Sequence, residues 1–580
     1  MEPPLTRLSD DVLIYIYSFL EPPNILRASS ASKRLREIGN QRIVWANACQ
    51  NYLISCGLPS PPEPLHLLST LSLRQRTLSA YSLAKRWRSG IHSPHRRSNL
   101  PNLSGSAISD IQILPSLNDD SLRLLTISKN VWLEMSVWEV PHQREYPAKL
   151  MGRWSPRGAL YTGVTVNTDP SSSATIAISI YLDGQFFVKI MSLLAAGRVE
   201  DLFLVLHELP FASELKPVLL QGDIVALADT THETILWDWK RGTFATLHDG
   251  PQNTSVPPYN MCHQVLFAHE SVFVVRARSI HLFRYPELSS TTQRGFDDTG
   301  PNREPQLPIA SFSFGWLDGV KAAICPRLDP RGLNRNLPKQ SWSGISILIR
   351  GENDDPWAEN AHNLELYSLE PNAEYISHTD KSDSEALQIA SHESASTQPL
   401  TDGVPQSQQE DATITNCPYI FPPRPSYHLP ALRGTLLCRK LAFGTFGTAV
   451  WIEPREKLNM GLVTGLVEIM NGLSQVDAIA SSSFRWQDED RIRRESCLKI
   501  VAFPGSLSSR HTTRRGLRAE SPFVEDAEEG WGLSQDKSTA VISSTLLVDD
   551  QNDWTALDYD EVTGRVVLGT GSGDVLVLDI

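Results

Sequence analysis

Residues Leu8 to Trp45 read LSDDVLIYIYSFLEPPNILRASSASKRLREIGNQRIVW, and their spacing is that of three short helices. Val12, Leu13, Ile16, Phe19 and Leu20 recur at three- and four-residue steps, which puts them on one helical face. Asp10 and Asp11 suit the positive end of that helix. Pro22 and Pro23 cannot continue it, so it stops there. Asn24 is placed to cap a second helix carrying Ile25, Leu26 and Ala28, and Ser32 to cap a third over Lys33 to Ile38. A unit this short cannot bury so many large apolar side chains alone. It needs a partner, or the rest of its own chain.

In order and spacing the stretch resembles an F-box. It aligns without a gap to that family's pattern of Leu-Pro, acid, Ile, Leu, Asp-Leu, Val-Ser-Lys-Arg-Trp and a closing Trp. Leu8, Asp11, Ile16, Leu20, Ile25, Leu26, Ser32, Lys33, Arg34 and Trp45 occupy matching positions. Ser9 stands where the family has Pro, Ala31 where it has Val and Leu35 where it has Trp. The resemblance implies docking on a Skp-type adaptor, which bridges to a cullin and a RING subunit. Leu8, Asp11, Ile16, Phe19, Leu20, Ile25, Leu26, Ser32, Lys33, Leu35 and Trp45 are the adaptor-binding residues it implies. The chain then resembles the substrate receptor of a ubiquitin ligase, with an F-box scaffold that never reaches a cullin as the alternative. Read without the resemblance, the same three helices fit a small cap on the rest of the chain.

The chain of 580 residues has length for two to four domains. A formal net charge of -13 argues against a general nucleic-acid binder, since phosphate affinity rests on a basic surface. No signal peptide or membrane span is legible: the apolar run Ile176 to Ile190 is interrupted by Asp183 and Lys189. Seven scattered cysteines without a C-x-x-C pair suit a reducing compartment, cytoplasm or nucleus. Residues 1–56 are read as the F-box domain and 57–108 as a basic linker. Between Leu65 and Leu100 there are seven Lys or Arg and no acid. Leu78, Tyr81, Ala84 and Trp87, with Leu83, make this stretch an amphipathic helix leading to the next domain.

From 109 to 580 the signal changes to short branched-aliphatic and aromatic runs between turn residues, that is, strands. Similar runs recur at Ser136 to Val140, Ile235 to Trp239, Ile280 to Tyr285, Leu364 to Leu369 and Val575 to Ile580. Of these, ILWDWKRGTFATL (Ile235 to Leu247) most resembles the strand, Trp-Asp dipeptide, turn and strand of a WD-repeat. The last two strands meet at Ser572-Gly573 as a hairpin, and a chain ending inside a strand suits a ring closed by pairing its ends. The fold expected is mainly β: a degenerate seven- or eight-bladed propeller behind the helical F-box. Disordered loops are expected near 289–306, 372–415 and 505–530. The second holds eight acids, twelve Ser or Thr and one aromatic, too little apolar surface to offset ordering.

Enzyme signatures are lacking. GTGSGD (Gly569 to Asp574) has too little chain after it for a phosphate-binding helix and reads as a turn. His92 and His95 lie beside Pro94, Arg96 and Arg97, a poor cation site. Cys262 and His263 point apart on a strand rather than forming a nucleophile and base. FGTFGTAVWIEPRE (Phe443 to Glu456) resembles a glycine-hinged strand pair of fungal F-box proteins with β-rich C-terminal regions, its glycines allowing close backbone approach. No catalytic residue, cofactor or metal ligand is assigned. The partners expected are the adaptor and an unknown protein target, with no nucleic acid and no membrane.

Overall fold

The computed structural model describes residues 8–56, 58–59, 65–89, 93–100, 105–115, 121–129, 132–141, 147–194, 199–249, 260–290, 305–315, 317–325, 342–351, 362–375, 417–431, 440–455, 495–503, 543–549, 551 and 553–580. Four helices open it: α1 (Asp10–Tyr17), α2 (Pro22–Ser30), α3 (Lys33–Gly39) and α4 (Arg42–Tyr52), followed by the long α5 (Thr70–Ser89). Ser32 caps α3 as expected, its hydroxyl accepting from Leu35 N at 3.2 Å. Asn24 does not cap α2. That helix begins two residues earlier, because Pro22 and Pro23 fall in its first turn, where a missing N–H is no loss and the fixed φ is already helical. Leu13, Tyr17, Ile25, Ile38, Val44, Trp45, Ala48 and Cys49 form the core of this unit.

The strands form seven separate antiparallel sheets, six of them with their strands in chain order. Their first strands run Ile108–Leu114, Leu160–Val166, Lys216–Gln221, Cys262–Ala268, Leu317–Ile324, Leu441–Phe443 and Trp554–Asp560, and these pack edge to edge around one axis. This is a seven-bladed propeller. Each blade buries both faces against its neighbours, so middle strands such as Glu233–Asp238 and Ser271–Arg276 are buried almost throughout instead of alternating.

The ring closes through its ends. Arg96–Leu100 pairs antiparallel with Val575–Asp579 as the outermost strand of blade seven, in register from Arg96 opposite Asp579 to Leu100 opposite Val575. Five residues assigned by sequence to the linker 57–108 therefore belong to the propeller. A second revision concerns 289–306: Ser289–Ser290 add a fifth strand to blade three, and Gln306 bridges to Leu247. Residues 291–304, 376–415 and 505–530 of the three expected loops lie outside the described residues. Gly573 sits at φ 91°, in the hairpin turn expected there.

Two contacts seat the helices on the ring. On α5, Leu73, Ala80 and Ala84 join the helical core, while Leu83 and Trp87 join the core between blades six and seven. Phe446, in the turn between the first two strands of blade six, also packs against the helical core.

Candidate functional site

An amphipathic helix in a closed unit should present one polar face. Instead, α1 is apolar on two sides. Leu13 and Tyr17 point into the core, whereas Val12, Tyr15 and Phe19, spaced three and four apart, are 43%, 67% and 63% exposed. The Tyr15 and Phe19 rings meet edge to face at 4.9 Å. Their backbone is tied down: Tyr52 Oη donates to Phe19 O at 2.6 Å, and Asn51 Nδ2 to Ser18 O at 3.2 Å. At the other end of α1, Arg34 pairs with Asp10 at 3.0 Å. The result is an outward aromatic stripe on a fixed helix.

The residues singled out from sequence divide four ways. Phe19 lies on the stripe, with Asp11 and Lys33 exposed nearby in the same unit. Leu8, Ile16, Leu20, Leu26 and Leu35 are half-buried against the helical core, able to shape a contact but committed inward. Ile25 and Trp45 are fully buried. Trp45 also donates its indole N–H to Gly39 O at 2.8 Å, and both residues belong to the core of the helical unit. Ser32 is occupied as the α3 cap. Tyr15 was missed. The signal for it was present, since it stands three residues after Val12 and four before Phe19, but a tyrosine between two isoleucines reads as core in a one-face count.

Within the propeller, side chains of the innermost strands stitch blade to blade. Ile113 N donates to Asp558 Oδ2 at 2.6 Å, Gln112 Nε2 to Val164 O at 3.2 Å, and Gln264 exchanges two 2.9 Å bonds with the Ala322 backbone. Burial lifts Asp558 to about 6. Burial also pushes the Cys262 thiol up to about 11 and, aided by Lys321, His263 down to about 4. A thiol held protonated is the reverse of what a nucleophile needs. His95 contacts Arg86 through Nδ1 at 3.1 Å, and His92 lies outside the described residues. Among the described residues no cluster of His, Cys, Asp or Glu is arranged to hold a metal, and no helix is long and apolar enough to cross a membrane.

A family model described as F-box-like matches residues 7–51. No curated protein sequence matches the chain. Among solved structures the chain is similar to a chain of an active polycomb repressive complex 2 in the basal state, at 11% identity and TM-score 0.41, over 84% of this chain and 98% of that one. A chain of a humanized mutant of the Chaetomium thermophilum complex bound to the inhibitor GSK343 gives 12%, 0.42, 84% and 98%. The Myceliophteria thermophila Cps50 (Swd1) β-propeller domain gives 8%, 0.37, 83% and 99%.

Proposed function

We propose, from the premise that the chain carries an F-box-like domain ahead of a seven-bladed propeller, that it is the substrate-recognition subunit of a Skp-cullin-F-box ubiquitin ligase. The F-box docks on a Skp-type adaptor, and through it on the cullin and RING subunit, while the propeller binds the protein target. The observation that carries this reading is the Val12, Tyr15, Phe19 stripe, which α1 and the turn after it hold out to solvent although their unit already has a complete core. Burying each ring in a partner would contribute about 1.5 to 3 kcal/mol. The chain itself is non-catalytic in this reading. Its contribution is to hold target lysines near a charged conjugating enzyme, so that a bimolecular step becomes an intramolecular one. The six described cysteines are all free thiols, in keeping with a cytoplasmic or nuclear setting.

Co-expression with a Skp-type adaptor followed by size-exclusion chromatography tests the docking. A one-to-one complex is expected, lost in a Tyr15→Asp, Phe19→Asp double variant whose melting temperature is unchanged, since both side chains are exposed. A complex that survives the double variant would sink the assignment of α1. Ubiquitin transfer to a captured target by the assembled ligase, absent with the double variant, then separates a ligase receptor from a scaffold.

A further inference from the structure

In a four-stranded antiparallel blade the turns after the first and third strands emerge on one face of the ring, and the other connections on the opposite face. The turns that seat the helices, around Phe446 in blade six and Gly564 in blade seven, are of the first kind. So is the two-residue turn His269–Glu270 of blade four, between Cys262–Ala268 and Ser271–Arg276.

At that turn three rings meet. The imidazole of His269 lies flat on the indole of Trp342, with centroids 3.9 Å apart and planes at 10°. Tyr375 stands edge-on to both, at 5.9 and 5.5 Å, and its hydroxyl donates to Glu270 Oε2 at 3.3 Å. The cluster is anchored from behind, because Trp342 Nε1 donates to Pro418 O at 3.0 Å and Glu270 O accepts from Tyr285 N at 2.8 Å. The rings are half-buried, and Glu270 and its neighbour Glu374 are exposed. Burial holds His269 below its ordinary value, so the stack carries no positive charge of its own at neutral pH. Arg284 acts on the Tyr375 hydroxyl from the side of blade four.

The turn is also strained. His269 has φ 31° and Glu270 φ 53°, a conformation that glycine or asparagine adopts readily and that other side chains resist. Glycine there would relax the backbone but would supply neither the ring nor the carboxylate.

We propose that this platform binds an arginine side chain of a target peptide, the guanidinium continuing the His269–Trp342 stack while Glu270 accepts its N–H groups. The parallel rings leave no gap between them, so a compact methylated ammonium, which is bound by rings around it, has no cage here. A flat cation needs only one ring face and a carboxylate beside it. The inference deepens the receptor reading by giving the chemical class of target the propeller recognises, and rests on that reading only for the word target.

The test is fluorescence-anisotropy titration of the full-length chain, without adaptor, by a peptide library holding one central arginine in varied neutral flanks. Tight binders are then remade with lysine, trimethyllysine or glutamine at the centre. Arginine peptides should bind, weakening about tenfold with lysine and further with glutamine. Glu270→Gln, at an exposed position that should not disturb folding, should weaken the arginine peptide about tenfold, and Glu270→Lys should abolish its binding. No binding by any arginine peptide, equal binding to the Glu270→Gln protein, or preference for glutamine or trimethyllysine would each overturn the proposal. Because adaptor docking is read separately on α1, a chain that binds the peptide but not the adaptor would sink the ligase reading and leave this one standing.

Discussion

Glu561 is one carboxylate holding a joint. It is buried in the turn of blade seven and accepts from Phe446 N at 2.9 Å, Thr448 N at 3.0 Å, Thr448 Oγ1 at 2.5 Å and Thr445 Oγ1 at 3.4 Å, all in the turn of blade six that carries Phe446 to the helices. The approach is possible because residue 444 is glycine: a Cβ there would lie 2.1 Å from the carboxyl carbon of Glu561. Glu561→Ala leaves four donors without their acceptor and should cost about 3 kcal/mol in urea unfolding; an unchanged midpoint would show that the joint is held elsewhere. His281 lends itself to a pH test. Its ring nitrogens sit 2.8 Å from Ser279 Oγ and 2.9 Å from Ser311 Oγ, with Asp249 at 3.9 Å and the buried Arg276 close by. Burial, reinforced by Arg276, drops it from 6.5 to about 3. Below pH 6.5 the unfolded chain takes up a proton that the folded chain refuses, so this residue's contribution falls as pH falls towards 3. Asp249, raised to about 6 by burial against the pull of Arg276, acts in the opposite direction, but it is present in both proteins compared. The stability advantage of the native protein over His281→Gln should therefore shrink by about 1.4 kcal/mol per pH unit below 6.5. Parallel curves between pH 7 and 4 would refute it.

Among the elements, α5 decides how docking unit and propeller relate. Leu83 rests on Gly564, where a Cβ would come within 2.5 Å of its methyl carbon, and Trp87 lies edge-on to Tyr559 at 6.3 Å. Because the same helix gives Leu73, Ala80 and Ala84 to the helical core, it bolts the two parts together instead of tethering them. Leu83→Asp with Trp87→Ala should remove about 3 to 5 kcal/mol from that junction and expose the stretch from Leu65 to His95 to limited proteolysis while the propeller stays resistant. A digestion pattern like that of the native protein would mean Phe446 alone suffices. Sequence periodicity found this helix, but it grouped Leu78, Tyr81, Ala84 and Trp87 on one face. The structure splits them between two cores, which three-residue spacing cannot reveal because it spirals around the helix. The strands show the same limit. The five apolar runs legible in the sequence, from Ser136–Val140 to Val575–Ile580, are each the third strand of a blade. The two third strands that escaped notice, Gln185–Leu193 and Glu495–Ala502, carry Lys189 and Lys499 in mid-run, and Lys189 turns outward to Glu208 at 2.7 Å. One snorkelling lysine is enough to hide a strand from an apolar count. For α1 the hidden feature was direction: spacing shows that a helix is apolar, not which of two apolar faces its own chain covers.

For the whole molecule, the consequence lies in Arg96–Leu100. Among the described residues, backbone links between neighbouring blades are short, as at Asn167–Leu220 and Leu247–Gln306; elsewhere blades meet through side chains and a few stitches such as Ile113 N to Asp558. Opening the ring is therefore resisted most where one blade is built from both ends of the propeller sequence. In blade seven Arg96–Leu100 supplies the outermost strand to Val575–Asp579, Leu100 packs with Val567, Val575 and Val577, and Arg96 donates from Nη2 to Pro141 O of blade one at 2.8 Å. Replacing Ser98 and Leu100 with proline removes two ladder donors and a buried side chain from the seam between blades seven and one, leaving the other five blades untouched. The expected outcome is a drop of several degrees in melting temperature, with rapid amide exchange at Val575–Asp579 and self-association through the newly bare strand edge. The helical unit should still dock, since its own core is untouched. If exchange instead accelerated evenly over all seven blades, closure would be a property of the ring's packing as a whole and not of this strand pair.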